Sequence, residues 1–169
     1  MKKTNRMIAC GLLTAVSLAL FSVELLMPAF PFCPGAKIGL ANIVTLFMLT
    51  NKKVFRVSDC LLVLISRCFL SALLTGRMIS IAFSLAGGIA ALFSMLLINL
   101  ILSNKSTIPM SITGAVFHNL VQVLIAICIY GTFSAIYYIP SLFLVGVLCG
   151  ALTGLCVCFI NKINLFKLL

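Results

Sequence analysis

Residues 34–49 read PGAKIGLANIVTLFML, an apolar run that opens with a Pro-Gly turn and carries one lysine, Lys37. A second polar cluster, His118, Asn119 and Gln122, lies inside another long apolar run. Polar groups cost several kcal/mol in hydrocarbon unless they are paired or line a cavity. These two clusters therefore predict a binding site inside a membrane domain.

The composition of the whole chain is typical of a membrane protein. Its 169 residues are 63% hydrophobic and 8% charged, with a mean hydropathy of +1.31. A soluble domain of this size has too little interior to bury so much apolar surface. The apolar runs are continuous and close to the length of about 20 residues that a transmembrane helix needs. We therefore expect an all-α, polytopic membrane protein with a single domain over residues 1–169.

Six transmembrane spans follow from the apolar runs and the breaks between them. They cover residues 7–27, 36–51, 57–75, 79–103, 109–130 and 138–160. The first run is too long for the core of a signal peptide, so we interpret it as an uncleaved span. The second span is short, and its beginning is expected to be partly unwound or tilted.

The basic residues orient these spans. With the N-terminus in the cytoplasm, the inner segments hold nine Lys and Arg residues, whereas the outer segments hold only Arg77. This asymmetry follows the positive-inside rule. Despite the net charge of +10, the basic residues form no single patch, which argues against nucleic-acid binding. The prediction is a six-helix bundle in the cell membrane, in contact with the lipid bilayer, with both termini cytoplasmic.

Stripes of small residues at four-residue spacing predict places where helices approach closely. One stripe lies in the last span and the other in the first span: Gly146, Gly150 and Gly154, and Gly11, Ala15 and Ala19. Each stripe fits packing inside the bundle or docking onto a partner membrane protein. We take the stripe of the first span as the candidate partner interface.

Charged residues inside the spans point to a site for an anion. Glu24 ends the first span and Lys37 begins the second, at the same depth near the outer face. They form either an ion pair or part of a site in which Lys37 and the helix N-terminus bind a carboxylate, phosphate or polarised carbonyl. Arg67 lies near the middle of the third span, where an arginine costs about 2.5–3.5 kcal/mol, so it should face inward.

Polar uncharged side chains extend this site. Asn42 follows Lys37 on the second span, and the His118 cluster occupies one and a half turns of the fifth. They either line a cavity or bond to neighbouring helices. The complete candidate substrate-binding set is Glu24, Lys37, Asn42, Arg67, His118, Asn119 and Gln122.

The residues of a recognisable catalytic apparatus are missing from the sequence. Its only two carboxylates, Glu24 and Asp59, are far apart in the chain, which leaves no acidic pair for acid–base chemistry or for binding magnesium. A Gly-rich nucleotide loop is also missing. We expect a protein that is not an enzyme, has no cofactor, and draws energy from a partner or an ion gradient.

Four segments of the chain carry a family resemblance: Pro34 to Asn42, Arg67 to Gly76, Ser84 to Gly88 with Met95, and Ser111 to Gln122. Through them the chain resembles a membrane family usually labelled heptaprenyl diphosphate synthase component I, also called the Gx transporter family. Ile38 and Leu120 depart mildly from the expected pattern. The isolated carboxylates do not supply the aspartate-rich motifs that prenyl diphosphate synthesis uses.

The resemblance implies an architecture similar to the substrate-binding S components of energy-coupling factor transporters. Those proteins are six-helix bundles with an outward pocket, and they dock through small residues of helix one onto a scaffold with ATPases. Ala15 and Ala19 reproduce that pattern, and Gly11 extends it. Family relatives encoded beside flavin-linked electron-transfer proteins suggest a flavin, quinone or isoprenoid ligand.

The sequence therefore leaves two functions open. The first is a substrate-binding subunit of a transporter for a small molecule. The second is a non-transporting membrane subunit that supports flavin or quinone electron transfer or prenyl diphosphate synthesis. In the second case both small-residue stripes would be protein interfaces, and the polar cluster would only hold helices together.

Overall fold

The computed structural model describes residues 3–26, 39–102, 107–131 and 133–163. Within these ranges the chain is helical, with short turns between the helices. The helices are α1 (Lys3–Leu26), α2 (Asn42–Thr50), α3 (Val57–Thr75), α4 (Ile79–Ile101), α5 (Thr107–Tyr130) and α6 (Ile139–Lys162), and a 3-10 helix (Phe133–Tyr138) precedes α6. The predicted all-α class is confirmed for the part of the chain described.

Five helical segments are long and apolar enough to cross a membrane: α1, α3, α4, α5 and the segment that ends with α6. The prediction of a multi-pass membrane protein is confirmed at this level. In contrast, α2 has only nine residues, fewer than the roughly 17 that a spanning helix needs. The count of six spans, and the side on which each terminus lies, stay predictions.

Within the described part of the predicted second span, residues 39–51, the chain is helical from Asn42 to Thr50. Positions 36–38 lie outside the described residues. Gly39 has a φ of +78°, which is a left-handed conformation that glycine adopts without steric cost. The N–H of Asn42 donates to the Gly39 carbonyl over 2.9 Å, and this bond closes a turn before the helix. The glycine therefore explains why the helix begins later than the apolar run.

The short helix α2 lies at the centre of the bundle. Seven of its nine residues are buried, and it packs against α1, α3, α4, α5 and α6. Its fully buried Leu46 and Met48 belong to the same core as Leu64 of α3 and Met95 of α4. A helix that is apolar on all sides is stable only when it is surrounded, and the five long helices surround this one.

Polar contacts fix one end of the bundle. Arg6 Nε lies 3.3 Å from Asp59 Oδ2 and joins the beginnings of α1 and α3. Asn51 Nδ2 donates to Asn161 Oδ1 over 3.0 Å and joins the ends of α2 and α6. We name this the basic end, because it carries Lys3, Arg6, Lys52, Lys53, Arg56 and Lys162, whereas Arg77 lies at the other end between α3 and α4.

The two small-residue stripes have different environments. A Cβ atom on Gly150 would lie 2.6 Å from the Cα of Ile112, and one on Gly154 would lie 3.0 Å from the Cα of Ile108. The stripe in α6 is therefore the seam against α5. On α1, Gly11, Ala15 and Ala19 are all exposed, so that stripe faces outward from the described bundle.

Candidate functional site

Glu24 connects the end of α1 to the turn before α2. One of its carboxylate oxygens, Oε1, accepts the Gly39 N–H over 2.6 Å. Hydrogen bonds to an ionised acceptor are short and are roughly twice as strong as neutral ones. This contact holds the non-helical turn at Gly39 against α1 and thereby sets the position of Asn42.

Arg67 lies on the inner face of α3 and is only 6% exposed. Its predicted inward orientation is confirmed. The guanidinium group makes no hydrogen bond or ion pair with any residue that the structure describes, and it lines a cavity of about 30 Å³. The other lining residues are Phe21, Glu24, Gly39, Ala41, Asn42, Cys68, Ser71, Ser84 and His118.

His118 reaches this cavity from α5 because α4 carries a glycine opposite it. A Cβ atom on Gly87 would lie 2.9 Å from the His118 Cε1 atom, so any larger residue at position 87 would displace the imidazole. The ring is buried, at 8% exposure. His118 makes other contacts, and only its Nδ1 atom is buried without a hydrogen bond among the described residues.

Asn42 lies at the junction of two small cavities. It lines the first and also a second cavity of about 10 Å³, together with Gly39 and His118. The remaining residues around the second cavity are Met95, Ser111, Ala115, Asn119 and Thr153. Asn42 is 9% exposed, and its side-chain amide makes no hydrogen bond to the described part of the chain. The amide is therefore available to a group in either cavity.

The structure thus brings together four of the predicted site residues, Glu24, Asn42, Arg67 and His118, around the larger cavity. Asn119 lines only the smaller cavity, and its Nδ2 donates to the Leu142 carbonyl over 3.2 Å, which also fixes α5 to α6.

Two predicted residues remain outside this arrangement. Gln122 is half-buried and lines neither cavity. Lys37 lies outside the described residues, so its pairing with Glu24 stays a prediction.

Sequence reasoning did not single out the hydroxyl groups of Ser71 and Thr153, or the pairing of Thr153 with Ser111. Ser71 lies one helical turn beyond Arg67, and this four-residue spacing is a signal that could have identified it. Thr153 of α6 and Ser111 of α5 share a hydrogen bond of 2.8 Å beside the smaller cavity. That pairing depends on the contact between two helices, which the spacing within either helix does not reveal.

The site contains one buried cation, Arg67, and two further polar side chains, Asn42 and His118. Its one carboxylate, Glu24, already accepts a hydrogen bond from the backbone. Such an arrangement suits the binding of a carboxylate or phosphate group, because arginine presents a fork of donors that matches both. The larger cavity, of about 30 Å³, is far smaller than the roughly 300–1,000 Å³ typical of ligand pockets. The body of a larger ligand therefore requires the lining side chains to separate.

The Glu24 contact predicts a measurable contribution to stability. Replacing Glu24 with Ala should lower the free energy of unfolding by about 1.5–3 kcal/mol, the range for a hydrogen bond to a charged group. Glu24→Gln keeps an oxygen acceptor and should lose less. Thermal unfolding in detergent measures both, with Ser22→Ala as the control because Ser22 bonds only within α1. Equal unfolding of Glu24→Ala and wild type would show that the contact is dispensable.

Comparison with known proteins identifies one family. The model of the family described as heptaprenyl diphosphate synthase component I matches residues 13–160, which is most of the chain. Neither the curated proteins nor the solved structures contain a match. The matched range includes every predicted site residue and two of the three residues of the outward stripe, Ala15 and Ala19.

Proposed function

We propose that this chain, which belongs to the heptaprenyl diphosphate synthase component I family, is a membrane-embedded binding subunit that captures a small anionic molecule. In this proposal Arg67 binds the anionic group, and Asn42 and His118 orient it from α2 and α5. Glu24 positions the turn before α2. Lys37, Asn119 and Gln122 complete the set of residues that line or support the site.

One observation carries the proposal. The buried guanidinium of Arg67 has no ion-pair or hydrogen-bond partner among the described residues, although it lies in a helix apolar enough to cross a membrane. A buried charge without a counterion is costly. The Glu24 carboxylate lines the same cavity but forms no ion pair with Arg67, and a bound anion would supply the direct hydrogen-bond partner that the guanidinium lacks among the described residues.

The subunit is proposed to work as an S component of a transporter. This role requires six spans with both termini in the cytoplasm of the cell membrane, and energy from ATPases on a shared transmembrane scaffold. The outward orientation of Gly11, Ala15 and Ala19 supports docking through α1, because small exposed residues let another helix approach closely. The ligand is a flavin-, quinone- or isoprenoid-related molecule with an anionic group, and the chain itself is not an enzyme.

A second function is favoured by the family's own description. The words "component I" imply a second component, and a diphosphate is also an anion that Arg67 could bind. In this alternative the chain is a non-transporting subunit that holds a prenyl diphosphate, or supports electron transfer, for a partner enzyme. The anion site is common to both functions, but the partners differ.

Co-purification from gently solubilised native membranes separates the two functions. Recovery of a transmembrane scaffold with ATPases supports transport, and recovery of a synthase or redox subunit supports the alternative. Gly11→Leu should reduce recovery of either partner if α1 is the docking helix. Ala82→Leu on α4 is the matched control, because it makes the same kind of exposed small-to-large change on another helix.

Uptake assays test the site directly. We expect Lys37→Ala and His118→Ala to abolish uptake of the molecule that co-purifies with the wild type, because both remove groups assigned to the site. Lys53→Ala serves as the control, since Lys53 is exposed at the basic end. Folding of each variant is checked by its thermal unfolding. Normal uptake by both site variants would contradict the assignment.

A further inference from the structure

A further cavity, distinct from the two small cavities around Asn42, opens at the basic end of the bundle. It has a volume of about 510 Å³, within the range of about 300–1,000 Å³ typical of ligand sites. We name it the basic-end groove. Its walls come from the end of α2, the turn that follows, the beginning of α3 and the second half of α4. The residues that line it are Met48, Leu49, Lys52, Phe55, Arg56, Val57, Cys60, Phe93, Leu96, Leu97, Asn99 and Leu100.

One polar side chain lines the groove without bonding to the rest of the described protein. Asn99 is 6% exposed, lines the groove, and makes no side-chain hydrogen bond to any residue that the structure describes. The fully enclosed side-chain polar atoms that lack a hydrogen bond in the described residues do not include those of Asn99, so its amide reaches the groove, where a bound molecule can pair with it. Asn99 lies in a helix that is otherwise among the most apolar of the chain, so a polar group of a bound molecule is the natural partner.

Positive charge is concentrated at the mouth of the groove. Lys52 and Arg56 both line it, and Lys53 is adjacent in the chain. The nearby carboxylate, Asp59, accepts the backbone N–H of Arg56 over 2.8 Å and pairs with Arg6. The Arg56 guanidinium makes no ion pair with the described residues, so Arg56 contributes a positive charge to the mouth of the groove that no described carboxylate pairs with.

The apolar walls distinguish a lipid from a soluble anion. Phe93, Leu97 and Leu100 line the groove and are 64%, 45% and 78% exposed. A soluble phosphate would satisfy the cations but would leave these side chains uncovered. In a lipid, the anionic headgroup would pair with the cations and an ester carbonyl would accept a hydrogen bond from Asn99. The acyl chain would cover the apolar wall.

We propose that the basic-end groove is a binding site for one anionic glycerophospholipid. The phosphate lies between Lys52 and Arg56, an ester carbonyl accepts the Asn99 amide, and an acyl chain covers the wall formed by α4. Clefts between transmembrane helices that carry basic residues are suited to anionic headgroups. This site is independent of the anion site at Arg67, because the two cavities share no residue.

Native mass spectrometry of the full chain tests the proposal. The protein is exchanged into vesicles of phosphatidylglycerol and phosphatidylcholine in equal amounts with identical acyl chains, and the retained lipids are counted after detergent release. We expect one retained phosphatidylglycerol per wild-type chain. The double variant Lys52→Gln/Arg56→Gln should reduce the preference for phosphatidylglycerol about 30-fold, because each basic residue contributes about fivefold. Asn99→Leu should reduce retention of phosphatidylglycerol without altering the fold.

Two controls separate the lipid from other occupants. The double variant Lys3→Gln/Lys162→Gln removes the same charge from the basic end outside the groove, and it should keep the preference of the wild type. Millimolar glycerol 3-phosphate should not displace the lipid. The proposal would be overturned if the wild type retained both lipids equally or if the groove variant kept the preference of the wild type. It would also be overturned if the control variant lost the preference to the same extent, or if glycerol 3-phosphate displaced the lipid. A partner polypeptide seated on the groove in place of lipid would overturn it as well.

Discussion

Replacing Arg67 with Met is expected to abolish ligand binding and at the same time to stabilise the protein. The guanidinium is buried, and no described residue pairs with it, so its removal relieves an electrostatic cost on the order of 2 kcal/mol. Methionine retains most of the length of the side chain and fills the same space. Loss of the charged donors should weaken binding of an anionic ligand at least tenfold, because each hydrogen bond to a charged group contributes about 1.5–3 kcal/mol.

Thermal unfolding of the ligand-free protein and ligand-induced shifts in the midpoint measure both effects. Arg67→Lys is the matched variant, because it keeps the charge but loses the planar fork. It should bind more weakly than the wild type without the gain in stability shown by Arg67→Met. If Arg67→Met instead unfolds at a lower temperature, the arginine has a structural partner, and its assignment to ligand binding fails.

Replacing Gly150 with alanine and replacing Gly11 with alanine should affect the stability of the protein differently. Gly150→Ala is expected to destabilise the bundle by about 1–3 kcal/mol, the usual cost of overpacking, because its Cβ would lie 2.6 Å from the backbone of α5. Gly11→Ala should be neutral or stabilising by up to about 1 kcal/mol, because alanine favours a helix. A Cβ atom on Gly11 meets no described atom within 4 Å.

The same chemical change in two helices makes each variant the control for the other. Unfolding in detergent, followed by loss of helical circular dichroism, gives both values. Equal destabilisation would mean that the exposed stripe of α1 is buried in the solubilised protein, for example against a second copy. No effect at Gly150 would show that α5 and α6 are less closely packed than the structure indicates.

The fold class could be predicted from the sequence because hydrophobicity alone determines it. Long apolar runs with basic ends leave few alternatives to membrane-spanning helices, and five of the six predicted spans contain a long helix. The turn at residues 39–41 agrees with the expected unwinding at the beginning of the second span, but the residue at which the helix begins was not predicted. The apolar pattern of this span continues through Gly39, and a positive φ at one glycine is a property of the backbone that periodicity does not reveal.

The site residues that could be predicted are those whose charged or polar side chains are costly to place in a membrane. Glu24, Arg67 and His118 stand out for that reason alone, and they line one cavity. Contacts between helices could not be predicted in this way. Three features depend on how the helices pack against one another: the hydrogen bond from the Gly39 N–H to Glu24, the bond between the Ser111 and Thr153 hydroxyls, and the position of the Asn99 amide in the groove.

Native mass spectrometry of the protein extracted gently from its own membranes, with identification of bound small molecules, tests whether Arg67 binds an anion. We expect one anionic small molecule per wild-type chain and none in Arg67→Met, with the folded state of the variant confirmed by its thermal unfolding. An empty wild-type protein, or a molecule that Arg67→Met retains equally well, would contradict the claim that Arg67 forms an anion-binding site.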